Sequence, residues 1–221
     1  MNIKINQKIE LHYEVSGKGP NLVLLHGNGE DLHIFDALVS NLEKSFTVYA
    51  LDSRDHGKST KISERYNYND LAEDIHLFIE KLNLKEVTIL GFSDGGIIAL
   101  LLGIRQERYL SKLISLSPNL SPKDWKKKPL DDLTKQFNET KDPAFYLMLN
   151  EPNIDPEDLK KINVPTLVTA GEHDLFYRSM YQTIEKKIPV AELQVLKGED
   201  HSSYIIDTDK MAEPFRSFIQ N

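Results

Sequence analysis

The most informative segment of the chain reads Val87-Thr88-Ile89-Leu90-Gly91-Phe92-Ser93-Asp94-Gly95-Gly96-Ile97-Ile98-Ala99-Leu100-Leu101-Leu102. Its β-branched beginning is typical of a buried parallel strand, and its apolar end is typical of a buried helix. Between them, Gly-x-Ser-x-Gly around Ser93 is the pattern of a sharp strand-to-helix turn that presents a serine hydroxyl. Such a turn leaves no room for a Cβ two residues before or after the serine, where Gly91 and Gly95 stand. The alternative is a glycine-rich turn whose serine has no catalytic role.

Composition restricts the class of protein. The chain has 221 residues, of which 40% are hydrophobic, and this predicts one domain over residues 1–221 with an insertion. A net charge of -7 argues against nucleic acid and anionic membranes as partners. Cysteine is absent, and the longest apolar stretch, residues 97–104, is too short to span a bilayer. We expect a cytoplasmic protein with a small-molecule substrate, as a monomer or a homodimer.

Strand and helix patterns alternate along the rest of the chain. An antiparallel pair is predicted over residues 2–14, and buried strands over 21–25, 46–51, 111–116, 166–170 and 193–196. Helices are predicted over 32–42, 70–82, 179–187 and 211–219, the second of them opening on a capping box of Asp70 and Glu73. This alternation predicts an α/β fold with a mostly parallel sheet flanked by helices and an antiparallel first hairpin.

Residues 118–164 interrupt the alternation. Asp142-Pro143 and Asp155-Pro156 each combine a helix-capping residue with proline at the first helical position. We interpret the segment as a small helical lid over the carboxyl edge of the sheet. Its lysines, Lys123, Lys126, Lys127 and Lys128, are expected to form a solvated face. Its large apolar side chains either roof a substrate pocket or only pack the lid to the body: Trp125, Phe137, Phe145, Tyr146 and Met148.

A serine hydroxyl becomes a nucleophile when a base takes its proton, and the base needs a third group to orient it. In enzymes with this turn the chain order is serine, acid, histidine, so only His173 and His201 qualify as the base. If Asp174, directly after the predicted strand at 166–170, is the acid, only His201 follows it.

Two other positions compete for the role of the acid. Glu172 lies beside Asp174 and is the alternative carboxylate. Asn119 follows the preceding strand, but an amide cannot carry the charge.

Taken together, these motifs resemble those of the α/β-hydrolase fold superfamily. They cover nearly the whole chain: His26-Gly27-Asn28-Gly29, Asp52-Ser53-Arg54-Asp55-His56-Gly57, the Ser93 turn, Pro165-Thr166-Leu167-Val168 with Gly171-Glu172-His173-Asp174, and Gly198 to His201. The sequence Ser93-Asp94-Gly95-Gly96 is similar to the corresponding turn of biphenyl-hydrolase-like enzymes. The resemblance implies Ser93 as nucleophile, Asp174 as acid and His201 as base. It also implies an oxyanion hole made by the backbone N–H groups of Asn28 and Asp94.

The resemblance further implies a serine hydrolase that cleaves a small or medium carboxylic ester, lactone or thioester through an acyl-enzyme on Ser93. Carbon-carbon bond hydrolysis and cofactor-free perhydrolysis with the same triad remain alternatives, as does a ligand-binding regulatory protein on this fold. No cofactor is expected, and no metal, because the histidines lack a spacing such as His-Glu-x-x-His. His26, Asp55 and His56 are expected to serve the structure of their loops.

Asp94 has two interpretations. It is either a carboxylate stabilised by the dipole of the helix it begins, or a pocket group that favours substrates with a cation near the acyl carbon.

Overall fold

The computed structural model describes residues 1–62 and 65–220. Within them the chain forms eight strands: β1 (Asn2–Lys4), β2 (Glu10–Ser16), β3 (Asn21–Leu25), β4 (Thr47–Leu51), β5 (Val87–Phe92), β6 (Leu110–Leu116), β7 (Thr166–Gly171) and β8 (Ala191–Leu196). The α-helices are α1 (Asp36–Leu42), α2 (Tyr68–Lys81), α3 (Asp94–Ile104), α4 (Lys127–Thr140), α5 (Pro143–Asn150), α6 (Arg178–Lys187) and α7 (Ala212–Gln220). None of the helices in these ranges is long and apolar enough to cross a membrane.

The strands form a single sheet in the order β1-β2-β4-β3-β5-β6-β7-β8. Strand β2 is antiparallel to both of its neighbours, whereas β4, β3 and all later strands run parallel. This arrangement confirms the predicted α/β class and the antiparallel hairpin at the edge. Every residue of β5 and of β7 is buried, as parallel strands covered on both faces require.

Two apolar clusters cover the two faces of the sheet. One contains the buried faces of α2, α3 and α6, and the other contains those of α1 and α7. Helix α3 is apolar nearly all round because it packs between the sheet and α2. The turn that carries Ser93 is therefore held between a buried strand and a buried helix, and has little freedom to move.

Some predicted helix boundaries are shifted in the structure. Helix α2 begins at Tyr68, and its capping box pairs Asn67 with Asp70, so the predicted box of Asp70 and Glu73 is one turn late. The Glu73 carboxylate instead accepts a hydrogen bond from Arg105, the residue after α3, at 3.0 Å. Pro214 is the third residue of α7, within the first turn, where a backbone N–H has no helical partner to lose.

The segment between β6 and β7 contains α4, α5 and two short 3-10 helices, Pro122–Asp124 and Asp158–Lys161. Asp142 caps α5 as predicted, and its side chain accepts a hydrogen bond from the Ala144 N–H at 2.8 Å. The helix start predicted at Asp155-Pro156 is displaced: Asp155 begins a turn, and the second 3-10 helix starts at Asp158. Helix α4 has no capping side chain at Lys126, which explains why the sequence pattern indicates no start for it.

Candidate active site

Ser93 stands at the turn between β5 and α3. Its backbone has φ +52° and ψ -112°, in a region that residues other than glycine rarely adopt. A Cβ on Gly91 would lie 2.0 Å from the Gly95 carbonyl oxygen, and a Cβ on Gly95 would lie 2.2 Å from that of Leu25. Both glycines are thus required for the turn to close, and the turn leaves the Ser93 hydroxyl accessible.

The three side chains that the resemblance implies, Ser93, His201 and Asp174, are hydrogen-bonded in series. The Ser93 Oγ lies 3.1 Å from His201 Nε2, and His201 Nδ1 lies 2.8 Å from Asp174 Oδ1. A carboxylate facing Nδ1 requires Nδ1 to carry the proton, which leaves Nε2 free to accept the serine proton. The arrangement can therefore generate a serine nucleophile.

His201 is positioned from several sides. Its ring packs between Phe92 at the end of β5 and Phe176, with centroid separations of 5.2 and 5.6 Å. Asp200, the residue before it, accepts hydrogen bonds from the N–H groups of Ser202 and Ser203 at 2.9 and 2.8 Å and so fixes the turn. A Cβ on Gly171 would lie 2.0 Å from the Asp200 carbonyl oxygen, so this loop touches the end of β7, three residues before Asp174.

Asp174 is buried and its carboxylate is fully bonded. Besides His201, it accepts hydrogen bonds from the Leu175 N–H at 2.6 Å and from the Ser117 hydroxyl at 2.5 Å. Burial raises the pKa of Asp174, but the hydrogen bonds from His201 and Ser117 outweigh it and hold that pKa below its usual value. The carboxylate is therefore ionised at neutral pH and can stabilise an imidazolium.

The other candidates for base and acid lie elsewhere. His173 and Glu172 are both exposed, and Glu172 accepts a hydrogen bond from the Gly198 N–H at 2.9 Å. Asn119 is buried and donates to the Ser121 carbonyl oxygen at 3.0 Å. The position at the end of β6 that faces the acid is Ser117, which supplies a hydrogen bond rather than a charge.

The loop after β3 is held rigidly beside Ser93. His26 is buried, its Nδ1 lies 2.7 Å from the Gly27 carbonyl oxygen, and its Nε2 accepts from the Ser53 N–H at 3.0 Å. Burial, with His56 nearby, lowers the pKa of His26 to about 4, so this histidine is neutral at ordinary pH. His56 Nε2 accepts from the Gly29 N–H at 3.0 Å. Both histidines thus serve the backbone of the loop.

The backbone N–H groups near Ser93 fall into two sets, those that have a hydrogen-bond acceptor and those that do not. Gly27 donates to the Glu30 carboxylate at 2.9 Å, and Gly29 donates to His56. Among the described residues, the backbone N–H groups of Asn28 and Asp94 have no acceptor. The Asp94 N–H also lies at the N-terminus of α3, where the helix dipole favours negative charge. These two groups are available to bind an oxyanion.

The Asp94 side chain does not line the cavity, so the hypothesis of a pocket carboxylate that binds a cation is wrong. The side chain is buried, its Oδ1 accepts from the Tyr68 hydroxyl at 2.7 Å, and its Oδ2 accepts from the Asn28 side-chain amide at 3.1 Å. Burial raises the pKa of Asp94 against the lowering effect of these hydrogen bonds. The carboxylate therefore ties the Asn28 loop to the Ser93 turn.

Replacing Asn28 by alanine removes this tie without removing a backbone N–H. We expect kcat to fall by about tenfold with a smaller change in KM, because outright loss of an oxyanion donor costs about a hundred- to a thousand-fold. Steady-state kinetics on a p-nitrophenyl ester checks this. Asn138→Ala, on the exposed face of α4, is the matched control. An unchanged kcat in Asn28→Ala would contradict the positioning role.

A cavity of about 560 Å³ opens at Ser93 and His201. Trp125, Phe145 and Met148 line it, in agreement with the first of the two interpretations of the apolar side chains in this segment. Phe137 and Tyr146 do not: their rings pack against each other with centroids 5.9 Å apart. They belong to the packing of α4 on α5.

The lysines of the segment are not one solvated face. Lys123 and Lys127 are exposed, but Lys126 is half-buried and its ammonium donates to the Asp174 carbonyl oxygen at 2.6 Å. Lys128 lies at the cavity. The prediction therefore fails for Lys126, whose partner is distant in sequence.

Sequence reasoning missed two polar residues of the site. Glu30 lines the cavity directly after the loop that follows β3, and an acidic residue at that place is a signal that could have found it. Ser117 carries no sequence signal, because its partner Asp174 follows the next strand along the sheet.

The comparisons with known proteins agree with the fold described above. A family model described as "alpha/beta hydrolase fold" matches residues 20–145, which is more than half of the chain. The protein belongs to the α/β-hydrolase family.

Individual relatives extend the similarity to the rest of the chain. The chain is 26% identical to the serine hydrolase BPHL of Homo sapiens, covering 96% of this chain and 84% of that protein. Among solved structures, an esterase from Exiguobacterium antarcticum superposes with a TM-score of 0.83 at 22% identity, covering 96% of each chain. An enol-lactonase from Burkholderia xenovorans LB400 superposes with a TM-score of 0.82 at 21% identity, covering 97% of this chain and 98% of that one. The structural matches establish the fold.

Proposed function

We propose that the protein is a serine hydrolase that cleaves a small or medium carboxylic ester, lactone or thioester through an acyl-enzyme on Ser93. The observation that carries this proposal is the continuous hydrogen-bond series from Ser93 through His201 to the ionised Asp174, opening into a cavity. The similarity to a serine hydrolase, an esterase and an enol-lactonase supports it. A protein that only binds a ligand has no chemical need for such a series.

In the first half of the reaction, His201 Nε2 takes the proton of the Ser93 hydroxyl while Oγ attacks the substrate carbonyl carbon. The resulting oxyanion accepts hydrogen bonds from the N–H groups of Asn28 and Asp94. Asp174 stabilises the imidazolium, which then gives its proton to the leaving oxygen or sulfur. The C–O or C–S bond breaks, and the acyl group remains on Ser93.

In the second half, His201 takes a proton from water, and the hydroxide attacks the acyl carbon. The same two N–H groups stabilise the second oxyanion. The imidazolium returns the proton to Ser93 Oγ as the acyl bond breaks, and a carboxylic acid leaves. The α4–α5 segment limits the size of the acyl group, since its side chains form part of the cavity wall.

Burst kinetics with p-nitrophenyl acetate and p-nitrophenyl butyrate tests the proposal. We expect a rapid release of p-nitrophenol equivalent to the enzyme, followed by slower turnover, and mass spectrometry should locate the acyl group on the peptide containing Ser93. Absence of both hydrolysis and acylation across several acyl lengths would refute the ester hydrolase and favour one of the alternative chemistries on the same triad.

A further inference from the structure

Glu30 is an ionisable group beside the nucleophile that the mechanism above does not use. Its Oε2 accepts a hydrogen bond from the Gly27 N–H at 2.9 Å. A Cβ placed on Gly27 would stand 2.9 Å from that Oε2 and 3.1 Å from Ser93 Cβ, so the carboxyl group and the nucleophile border the same small volume. Glu30 also lines the catalytic cavity together with Ser93 and His201.

One oxygen of this carboxyl is unused. Among the described residues, Glu30 Oε1 has no hydrogen-bond donor, whereas Oε2 is held by Gly27. Burial raises the pKa of Glu30 to about 7, against the lowering effect of the Gly27 N–H and of His201. The group is thus anchored at one oxygen, borders the catalytic cavity, and has a charge that changes near neutral pH.

The charged surroundings of Glu30 come from several elements. Asp31 and Asp94 raise its pKa, and His201 lowers it. A second cavity of about 360 Å³ on its other side is lined by Asp55, His56, Lys61, Tyr66 and Asp142, among others. The wall of the catalytic cavity contributed by α4 adds Lys128 and Asp132. Lys61 and Lys128 are exposed, whereas the Glu30 carboxyl borders the same small volume as Ser93.

We propose that Glu30 is a specificity-determining carboxylate that makes the site select uncharged acyl groups and reject acyl groups that carry their own carboxylate near the scissile carbonyl. The inference deepens the proposed function and rests on it, because it names the substrate class: neutral esters, lactones or thioesters. Rejection follows from Coulomb repulsion between two carboxylates in the same partly enclosed cavity. It strengthens as the pH rises and Glu30 loses its proton.

The test compares p-nitrophenyl pentanoate with mono-p-nitrophenyl succinate, acyl groups of similar length of which only the second is an anion. The quantity compared is kcat/KM for the pentanoate divided by kcat/KM for the succinate. Protonation of His201 affects both reactions equally and therefore does not change this ratio. In the wild type we expect this ratio to rise by about tenfold between pH 6 and pH 8. Glu30→Gln keeps an oxygen for the Gly27 N–H but has no charge, and its ratio should be independent of pH.

Asp132→Asn is the control, because Asp132 is an exposed carboxylate at the same cavity but on α4. Its ratio should still rise with pH as in the wild type. If Glu30 had only a structural role, the ratio would not both depend on pH in the wild type and become independent of pH in Glu30→Gln. A flat wild-type ratio, a rise that persists in Glu30→Gln, or a rise lost in Asp132→Asn instead would each overturn the proposal.

A binding measurement separates this proposal from the catalytic one. Trp125 is the single tryptophan of the chain and lines the cavity, so its fluorescence reports ligand binding in a Ser93→Ala protein that cannot form an acyl-enzyme. The ratio of the Kd values of monophenyl succinate and phenyl pentanoate should show the same rise with pH. If binding shows it and the wild type hydrolyses no ester, the hydrolase proposal fails and the charge selection stands. If hydrolysis occurs and the ratio does not change with pH, the hydrolase proposal stands and the charge selection by Glu30 fails.

Discussion

Ser93→Ala is expected to lower kcat on p-nitrophenyl esters by up to about a million-fold, the scale of loss when a triad nucleophile is removed. The hydroxyl is the only atom that the substitution deletes, and its sole described partner is His201 Nε2 at 3.1 Å. The backbone that forms the turn stays in place, because its geometry depends on Gly91 and Gly95. Steady-state and burst kinetics on matched preparations measure the effect.

Ser202→Ala is the matched control for this prediction. Ser202 follows His201 in the chain and lines the same cavity, but the hydrogen bond it gives to the turn comes from its backbone N–H, which alanine retains. We expect a loss of less than about tenfold, since no transition-state contact disappears. A Ser93→Ala protein that kept a burst, with acyl groups still attached to the peptide, would show that another residue is the nucleophile.

How much of this site the sequence predicts depends on the range of the interactions. The strand, turn and helix around Ser93 are predictable because glycine spacing and apolar runs are local properties of the chain. Chain order leaves His173 and His201 as bases, and only His201 if Asp174 is the acid. The structure places His201 in hydrogen-bond contact with both Ser93 and Asp174. The motif order therefore carries information that no single motif contains.

Side-chain partners across the sheet are beyond such reasoning. The Asp94 carboxylate turns away from the cavity because the Tyr68 hydroxyl and the Asn28 amide bind it, and no local pattern indicates that these residues meet. The same is true of Lys126. Its ammonium donates a hydrogen bond to the Asp174 carbonyl oxygen, and no sequence pattern around either residue indicates this contact. In each case a buried polar group decides the orientation of its neighbour.

The second large effect is the loss of kcat expected when the acid of the triad, Asp174 rather than Glu172, is replaced. Asp174→Asn should lower kcat by about ten-thousand-fold, because an amide facing His201 can donate a hydrogen bond to Nδ1 and so favour the tautomer that cannot accept the serine proton. Asparagine preserves the volume of the side chain and one oxygen for the Ser117 hydroxyl, so the fold should persist. Circular dichroism and a thermal melt establish that before the kinetics are compared.

Glu172→Gln is the control that makes this comparison decisive. Glu172 is exposed and lies two residues from Asp174. Its carboxylate accepts the Gly198 N–H at 2.9 Å, a hydrogen bond that the glutamine oxygen can also accept, and the exposed His173 ring lies 3.9 Å from it. We therefore expect its kcat to stay within about threefold of the wild type, as for a surface substitution that removes no buried partner. If the large loss appeared in Glu172→Gln and not in Asp174→Asn, the acid would lie at Glu172, and the loop carrying His201 would have to move during the reaction. The 2.8 Å contact between His201 Nδ1 and a buried, fully bonded Asp174 argues against that movement, because breaking it would leave a carboxylate buried without its main partner.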